Sequence, residues 1–346
     1  MHLLPTSLFA ALVLSWSAMA AGVSRATSSP QNQLLLSGCA DDAGFSSCQK
    51  EANEHLDKCL QTAKANGNTK TEILSCGCTF YTENINCAAT SCWNKVYECN
   101  YQIFVTGFLA NCPVAKAPIP YFPIPAGAQD ACSCNLGKIF LETSLAIQES
   151  ATCSNSAKGG DASANVQIIQ GCICCEISAA LSSIVATCPD TDPNLVGLEA
   201  AHTLQTNMNT PFNSCGKYLS SFDCVSQLGF QKIGGGSFYT PNNLPAFGKQ
   251  PLTNTGGSVT TPGNGPSFRW TNAADGKTYT INAAGLGKAQ GSGNSGSNQG
   301  NNNGGGSSTS NSKSTASRTN PTLLSWAVGA VLFAGATALA EHICGF

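Results

Sequence analysis

Charge is scarce in this sequence: only 10% of its 346 residues are Asp, Glu, Lys or Arg, and the formal net charge is −2. A nucleic-acid partner needs a basic face that displaces counterions, and no cluster of Lys and Arg provides one, so none is expected. Histidine is rarer still. There are four, and only His55 and His202 lie away from the two ends. No His-Glu-x-x-His, Gly-x-Ser-x-Gly, phosphate-binding loop or dinucleotide fingerprint occurs. His55, beside Glu51 and Glu54, reads as a solvated surface residue, and His202 as a core or surface one. Asp41-Asp42 and Asp190-Thr191-Asp192 read as turn and helix-cap residues. The residues therefore point to no enzyme, no catalytic group, no metal ligand and no resident cofactor. A carboxylate pair assembled by the fold from distant positions stays open. Asn-x-Ser/Thr with x other than Pro is also missing, which removes the usual N-glycan attachment site.

Cysteine is what the chain has in excess, with 19 residues. Its two ends say where those thiols mature. From Leu3 to Ala21 the chain is apolar and small, no charge precedes Arg25, and Ala18-Met19-Ala20 offers a small-x-small cleavage site, so residues 1–20 read as a signal peptide. At the other end no charge falls between Arg318 and Glu341, and Leu323 to Ala340 is almost wholly apolar or small. A polar, small-residue stretch from Gly304 to Ser312 precedes that tail. Small residues, a polar spacer and a hydrophobic terminus are the order that directs attachment of a glycosylphosphatidylinositol (GPI) anchor. A transmembrane helix is the rival and the length suffices for it. The chain ends Glu341-His342-Ile343-Cys344-Gly345-Phe346 without the Lys or Arg that usually follows a span, which favours the anchor. Ser310 is the expected attachment residue, within a window from Gly306 to Ser317, and 322–346 the hydrophobic tail of the anchor signal or span.

Removing that tail takes Cys344 with it and leaves 18 cysteines, an even number suited to complete pairing in the oxidising secretory route. Nine precede a Pro-rich stretch, Pro113 to Pro125: Cys39, Cys48, Cys59, Cys76, Cys78, Cys87, Cys92, Cys99 and Cys112. Nine follow it: Cys132, Cys134, Cys153, Cys172, Cys174, Cys175, Cys188, Cys215 and Cys224. Nine is odd on each side. If every thiol pairs, at least one bridge crosses the divide, so 39–230 is expected to be one unit of two halves. Neighbouring thiols such as Cys76-Gly77-Cys78 and Cys174-Cys175 read as disulfides to separate partners rather than as metal ligands.

The periodicity of this region is helical. Gln49 to Asn66 lacks Gly and Pro and places Ala52, Leu56, Cys59, Leu60 and Ala63 on one side. Ile139 to Ala151 repeats the pattern, and Val166 to Cys188 is apolar enough for a helix buried on most sides. Asp192-Pro193 offers a cap with proline at the first helical position, before Leu195, Leu198, Ala201 and Leu204. Strand alternation is sparse, so the expected class is all-α and disulfide-rich. From 231 to 321 Gly, Asn, Ser, Thr and Pro dominate, which predicts a flexible stalk. Within it, 267–281 reads as a small hairpin about Asp275-Gly276, packed on the domain or local to the stalk.

The first half, with Cys76-Gly77-Cys78 and then Cys87-Ala88-Ala89-Thr90-Ser91-Cys92, resembles in cysteine order the CFEM domain of fungal extracellular proteins, and Cys112 takes the place of its last cysteine. Signal peptide, Gly/Ser stalk and anchor-like tail likewise resemble fungal cell-surface proteins. The resemblance implies a compact helical fold and, in haem-binding members, iron ligation by an Asp before the Cys-x-Cys; Thr71-Glu72 stands there in this chain, so Glu72 inherits that position. Tyr97, Tyr101, Phe104, Phe108, Tyr121 and Phe122 form the densest aromatic region and read as core, or as the place to seek a flat apolar ligand. In the second half Cys132-Ser133-Cys134 followed by a helix echoes the first, as a diverged duplication would. The expected role is structural or adhesive: a domain GPI-anchored at the outer face of the plasma membrane or in the wall, where polysaccharide is a candidate partner. Haem capture and a secreted effector acting on a host are the alternatives.

Overall fold

A computed structural model describes residues 33–67, 69–157, 161–233, 236 and 238–286. The signal peptide, Ser310 and the hydrophobic tail lie outside these residues. Two sets of three helices form the body of the described fold. The first set is α1 (Asp42–Ala65), α2 (Lys70–Ser91) and α3 (Cys99–Asn111); the second is α4 (Leu136–Ser156), α5 (Ala162–Thr187) and α6 (Leu198–Asn207). A short helix α7 (Gly216–Ser221) follows, then one antiparallel hairpin of β1 (Ser267–Thr271) and β2 (Thr278–Asn282).

Capping fixes the starts. Asp41 accepts from the Gly44 amide at α1, Asn135 from Lys138 at α4 and Asp161 from Ala164 at α5, each satisfying an orphan donor of a first turn. Asp192 caps the 3₁₀ turn Pro193–Leu195, with the proline inside its start. Three of the expected helices, α1, α4 and α5, are present and longer than their apolar repeats. The fourth does not start at Pro193 as expected: the 3₁₀ turn ends at Leu195, Gly197 takes a left-handed φ of 109°, and α6 begins only at Leu198. α2 and α3 were not singled out from the sequence. The apolar α5 is the core helix. Ile177, Leu181 and Ile184 on it pack with Leu136, Ile139, Leu198, Leu204 and Phe212, and each such side chain contributes about 1.5–3 kcal/mol when buried.

All 18 cysteines of residues 39–224 pair into nine bridges. One of them, Cys99–Cys132, crosses the Pro-rich divide, as the odd count on each side requires. Residues two apart on a helix point about 200° from each other. Cys76 and Cys78 on α2 accordingly diverge, to Cys59 on α1 and to Cys112 after α3. Cys174 and Cys175 are adjacent, about 100° apart on α5, and also diverge, to Cys215 and Cys224.

The bridges also expose a duplication, though not in the register the sequence suggested. Cys132 and Cys134 are not the counterpart of Cys76 and Cys78; they belong to two different connections, one across the divide and one to Cys188. The counterpart is Cys172-Ile173-Cys174 on α5. In that register Cys39–Cys92 matches Cys134–Cys188, with separations of 53 and 54 residues. Cys59–Cys76 matches Cys153–Cys172, with 17 and 19, and Cys78–Cys112 matches Cys174–Cys215, with 34 and 41. Cys92 and Cys188 are each the C-cap of the second helix of their set. Cys48–Cys87 and Cys175–Cys224 are additions private to each half.

Part of the segment read above as stalk is ordered against the helices. Residues 238–286 lie along both halves as a strap, and Cys224 is not the end of the domain. The Ser178 hydroxyl donates to the Tyr239 carbonyl at 2.7 Å and the Tyr239 amide donates to Ser182 at 2.9 Å. Gln250 pairs with the loop after α5, exchanging backbone bonds with Asp190 and Asp192. Thr253 and Thr255 pair with Ser133 and Ala131 in the linker between the halves. The hairpin docks on α2, where Trp270 Nε1 donates to Asn86 at 3.0 Å and Asn272 donates to Thr82 at 3.0 Å. In the duplicated register Thr82 and Asn86 correspond to Ser178 and Ser182. The same face of the second helix therefore holds the strap in both halves. Glycine makes two of the approaches possible: a Cβ at Gly248 would collide with the Asp190 backbone, and one at Gly285 with the Ala40 carbonyl. Composition misled here because backbone hydrogen bonds and a few buried side chains, Trp270 and Ile281 among them, order a segment that is otherwise polar.

Candidate functional site

Glu72, the position implied by the family resemblance, is the third residue of α2 in a reciprocal cap. Thr69 Oγ1 accepts from the Glu72 amide at 3.3 Å and donates to its Oε2 at 2.7 Å, while Asn66 donates to Oε1 at 2.9 Å. Those bonds, with the Thr69 hydroxyl foremost, lower its pKa. Both oxygens are engaged in starting a helix.

The aromatic region is a packed core. Tyr97, Tyr101, Phe104, Phe108, Tyr121 and Phe122 are all buried. Tyr81 sits 4.8 Å from Phe104 and 5.8 Å from Phe108 between ring centroids, and Tyr121 meets Tyr97 and Phe268 edge-on. The Tyr101 hydroxyl donates to the Pro120 carbonyl at 2.6 Å, which satisfies its polar end. Nothing places Glu72 among these rings. His55 is exposed beside Glu83 at 3.0 Å, and His202 is exposed on α6. Among the described residues no three His, Cys, Asp or Glu side chains gather as a metal site.

A shallow cleft that no sequence pattern announced opens between α4, α5 and Gln231, Lys232, Ile233 and Phe238. Its cavity volume is about 20 Å³, with an apolar floor of Ala146, Ala179, Ile233 and Phe238 and with Glu142 and Glu149 at its side. That is room for about one water molecule, far below the ~300–1,000 Å³ of sites that engulf a drug-sized ligand. Glu149 accepts from the Gln231 amide at 3.1 Å, and burial raises its pKa. The two acids are two helical turns apart, a spacing visible in the sequence; the strap that walls the cleft was not.

Glu176 is the chemically unusual residue. It lies on α5, 1% exposed, between the bridges of Cys175 and the packing of Ile177. Burial pushes its pKa up to about 7, against the Ser150 hydroxyl, which lowers it, and Oε1 has no hydrogen-bond partner. A lone acid in an otherwise uncharged helix was the available signal.

No family model, curated protein or solved structure matches this chain. What the fold and bridges define is a class: a duplicated three-helix domain, disulfide-braced and strapped by its own C-terminal segment.

Proposed function

We propose that this chain is a non-catalytic structural or adhesive ectodomain, displayed at the cell surface through a GPI anchor on Ser310. The observation that carries the reading is the bracing. Nine bridges span 39–224, the pattern of an oxidising extracellular compartment, and the strap ties both halves before the chain departs toward the tail. Such a fold withstands local opening and proteolysis, which suits a permanent surface element. Few charges and a Gly/Ser/Thr-rich segment after 286 fit a spacer that lifts the domain from the membrane.

The test is release by phosphatidylinositol-specific phospholipase from intact cells, with intact mass of the released protein. We expect release, a mature start near Ala21, a C-terminal residue within Gly306 to Ser317 and no free thiol. Retention after phospholipase with the tail still present would replace the anchor with a span. A haemin Soret shift abolished by Glu72→Ala would replace the structural role with ligand capture by a CFEM-like module. A soluble form as the main product would favour an effector.

A further inference from the structure

Lys95, Glu98 and Asp130 meet where the first half, the linker and the strap come together. Lys95 Nζ is 2.6 Å from Asp130 Oδ2 and 2.8 Å from Glu98 Oε1, and the three side chains are only 23%, 13% and 14% exposed. Lys95 and Glu98 are set by a tight turn, with the Glu98 amide donating to the Lys95 carbonyl, in the loop between Cys92 and Cys99. Asp130 is delivered from the linker. Its φ of 52° is rare for a non-glycine residue, its amide donates to the Gly256 carbonyl of the strap, and Cys132 two residues on is bridged to Cys99. The Cys132 amide also donates to the Tyr97 carbonyl at 2.8 Å. Amine, carboxyl and a second carboxylate are thus held in place by bridges on both sides.

We propose that Lys95 and Asp130 condense into an intramolecular amide, with Glu98 carrying the proton. Holding reactants in contact in this way is worth effective concentrations of roughly 10⁵–10⁸ M in well-oriented intramolecular reactions. The balance is simple. Glu98 takes one of three protons from the Lys95 ammonium, and the free amine adds to Cγ of Asp130, forming the C–N bond. Glu98 returns its proton to a carboxyl oxygen, a second proton follows from nitrogen, and that oxygen leaves as water. One proton stays on the amide nitrogen, and no oxidant or co-reactant enters. Burial, helped by the Asp130 carboxylate, raises the pKa of Glu98, as a proton carrier needs. Burial also opposes the Lys95 ammonium, but both carboxylates outweigh it and hold its pKa above the usual lysine value. The free amine is therefore a minor form, and the bond forms slowly. The product is a tenth covalent tie, insensitive to reductant, across the same divide as Cys99–Cys132. It is independent of whether the chain is anchored.

Intact mass of the secreted full chain, after complete reduction and alkylation, tests this. We expect a mass lighter by one water, and a tryptic product joining the Lys95 and Asp130 peptides. Lys95→Arg preserves the charge but cannot condense, and Glu98→Gln removes the proton carrier; both are expected to keep full mass and the same circular dichroism. Asp275-Gly276 can also lose water as a succinimide, so the loss must map to the joined peptides and survive hydroxylamine. Full mass in the unaltered chain after prolonged incubation at mildly alkaline pH overturns the proposal, leaving an ion pair. Water loss that persists in Lys95→Arg overturns it equally.

Discussion

Replacing Glu176 by Gln should make the domain more stable at neutral pH and leave it nearly unchanged in acid. The carboxyl is 1% exposed in the middle of α5, and burial raises its pKa from 4.5 to about 7. Below 4.5 the folded and unfolded states both hold the proton, and this group contributes no pH dependence. Between 4.5 and about 7 the folded state keeps a proton that the unfolded chain has lost, so stability falls as pH rises through that window. Above it the penalty is constant. At ~1.4 kcal/mol per tenfold, the gap amounts to on the order of 3 kcal/mol. For a domain of this size 1 kcal/mol moves the melting temperature by about 2–4 °C, so the expected effect is roughly 6–12 °C. Glutamine keeps the shape without a proton to lose. Its own desolvation cost is the same at every pH and cancels when the difference between the two proteins is compared at pH 4 and pH 8. Thermal melts of the oxidised domain should show Glu176→Gln gaining on the parent between those pH values. An unchanged difference would refute the buried, ionisable reading of Glu176.

Cys99→Ser with Cys132→Ser removes the one described bridge between the halves, which closes a 33-residue separation. In a Lys95→Arg background, which cannot form the amide, loop-closure entropy predicts a loss of about 3–4 kcal/mol, and guanidinium unfolding should broaden or split as the halves uncouple. Trp270→Ala empties the hairpin's contact with α2 at a cost of about 3 kcal/mol, read as faster protease cleavage and amide exchange confined to 238–286. Thr69→Ala removes the cap of α2 and should cost about 1 kcal/mol in thermal unfolding; like Glu72→Ala, it should leave the haemin spectrum as it was.

The helices that could be read locally were those whose apolar residues recur at helical spacing, as Ala52, Leu56, Leu60 and Ala63 do on α1. α2 escaped because its buried face is built from Cys76, Phe80, Asn84, Cys87 and Ala88, a mixture with a weak apolar contrast. Of the candidate residues, His55, Asp41 and Asp192 took the surface and cap positions their neighbours implied. Glu72 took a cap as well, because Thr69 stands three residues before it; the pattern was legible, though the family resemblance directed attention elsewhere. The meeting of Lys95 with Asp130 and the burial of Glu176 depend on chain segments far apart in sequence, and no local pattern encodes them.

By itself the sequence determined what depends on count and period: a helical, oxidised domain, and by the parity of nine and nine a bridge across the divide. Tertiary structure alone decided which thiols meet, since pairing depends on helix rotation and Cα distance rather than on order along the chain. It therefore also decided the true register of the duplication, in which Cys174 answers Cys78. And it decided that 238–286 packs on the helical region. A polar segment is ordered when its backbone groups find partners, and those partners, on α2, α5 and the linker, exist only once the two halves have folded.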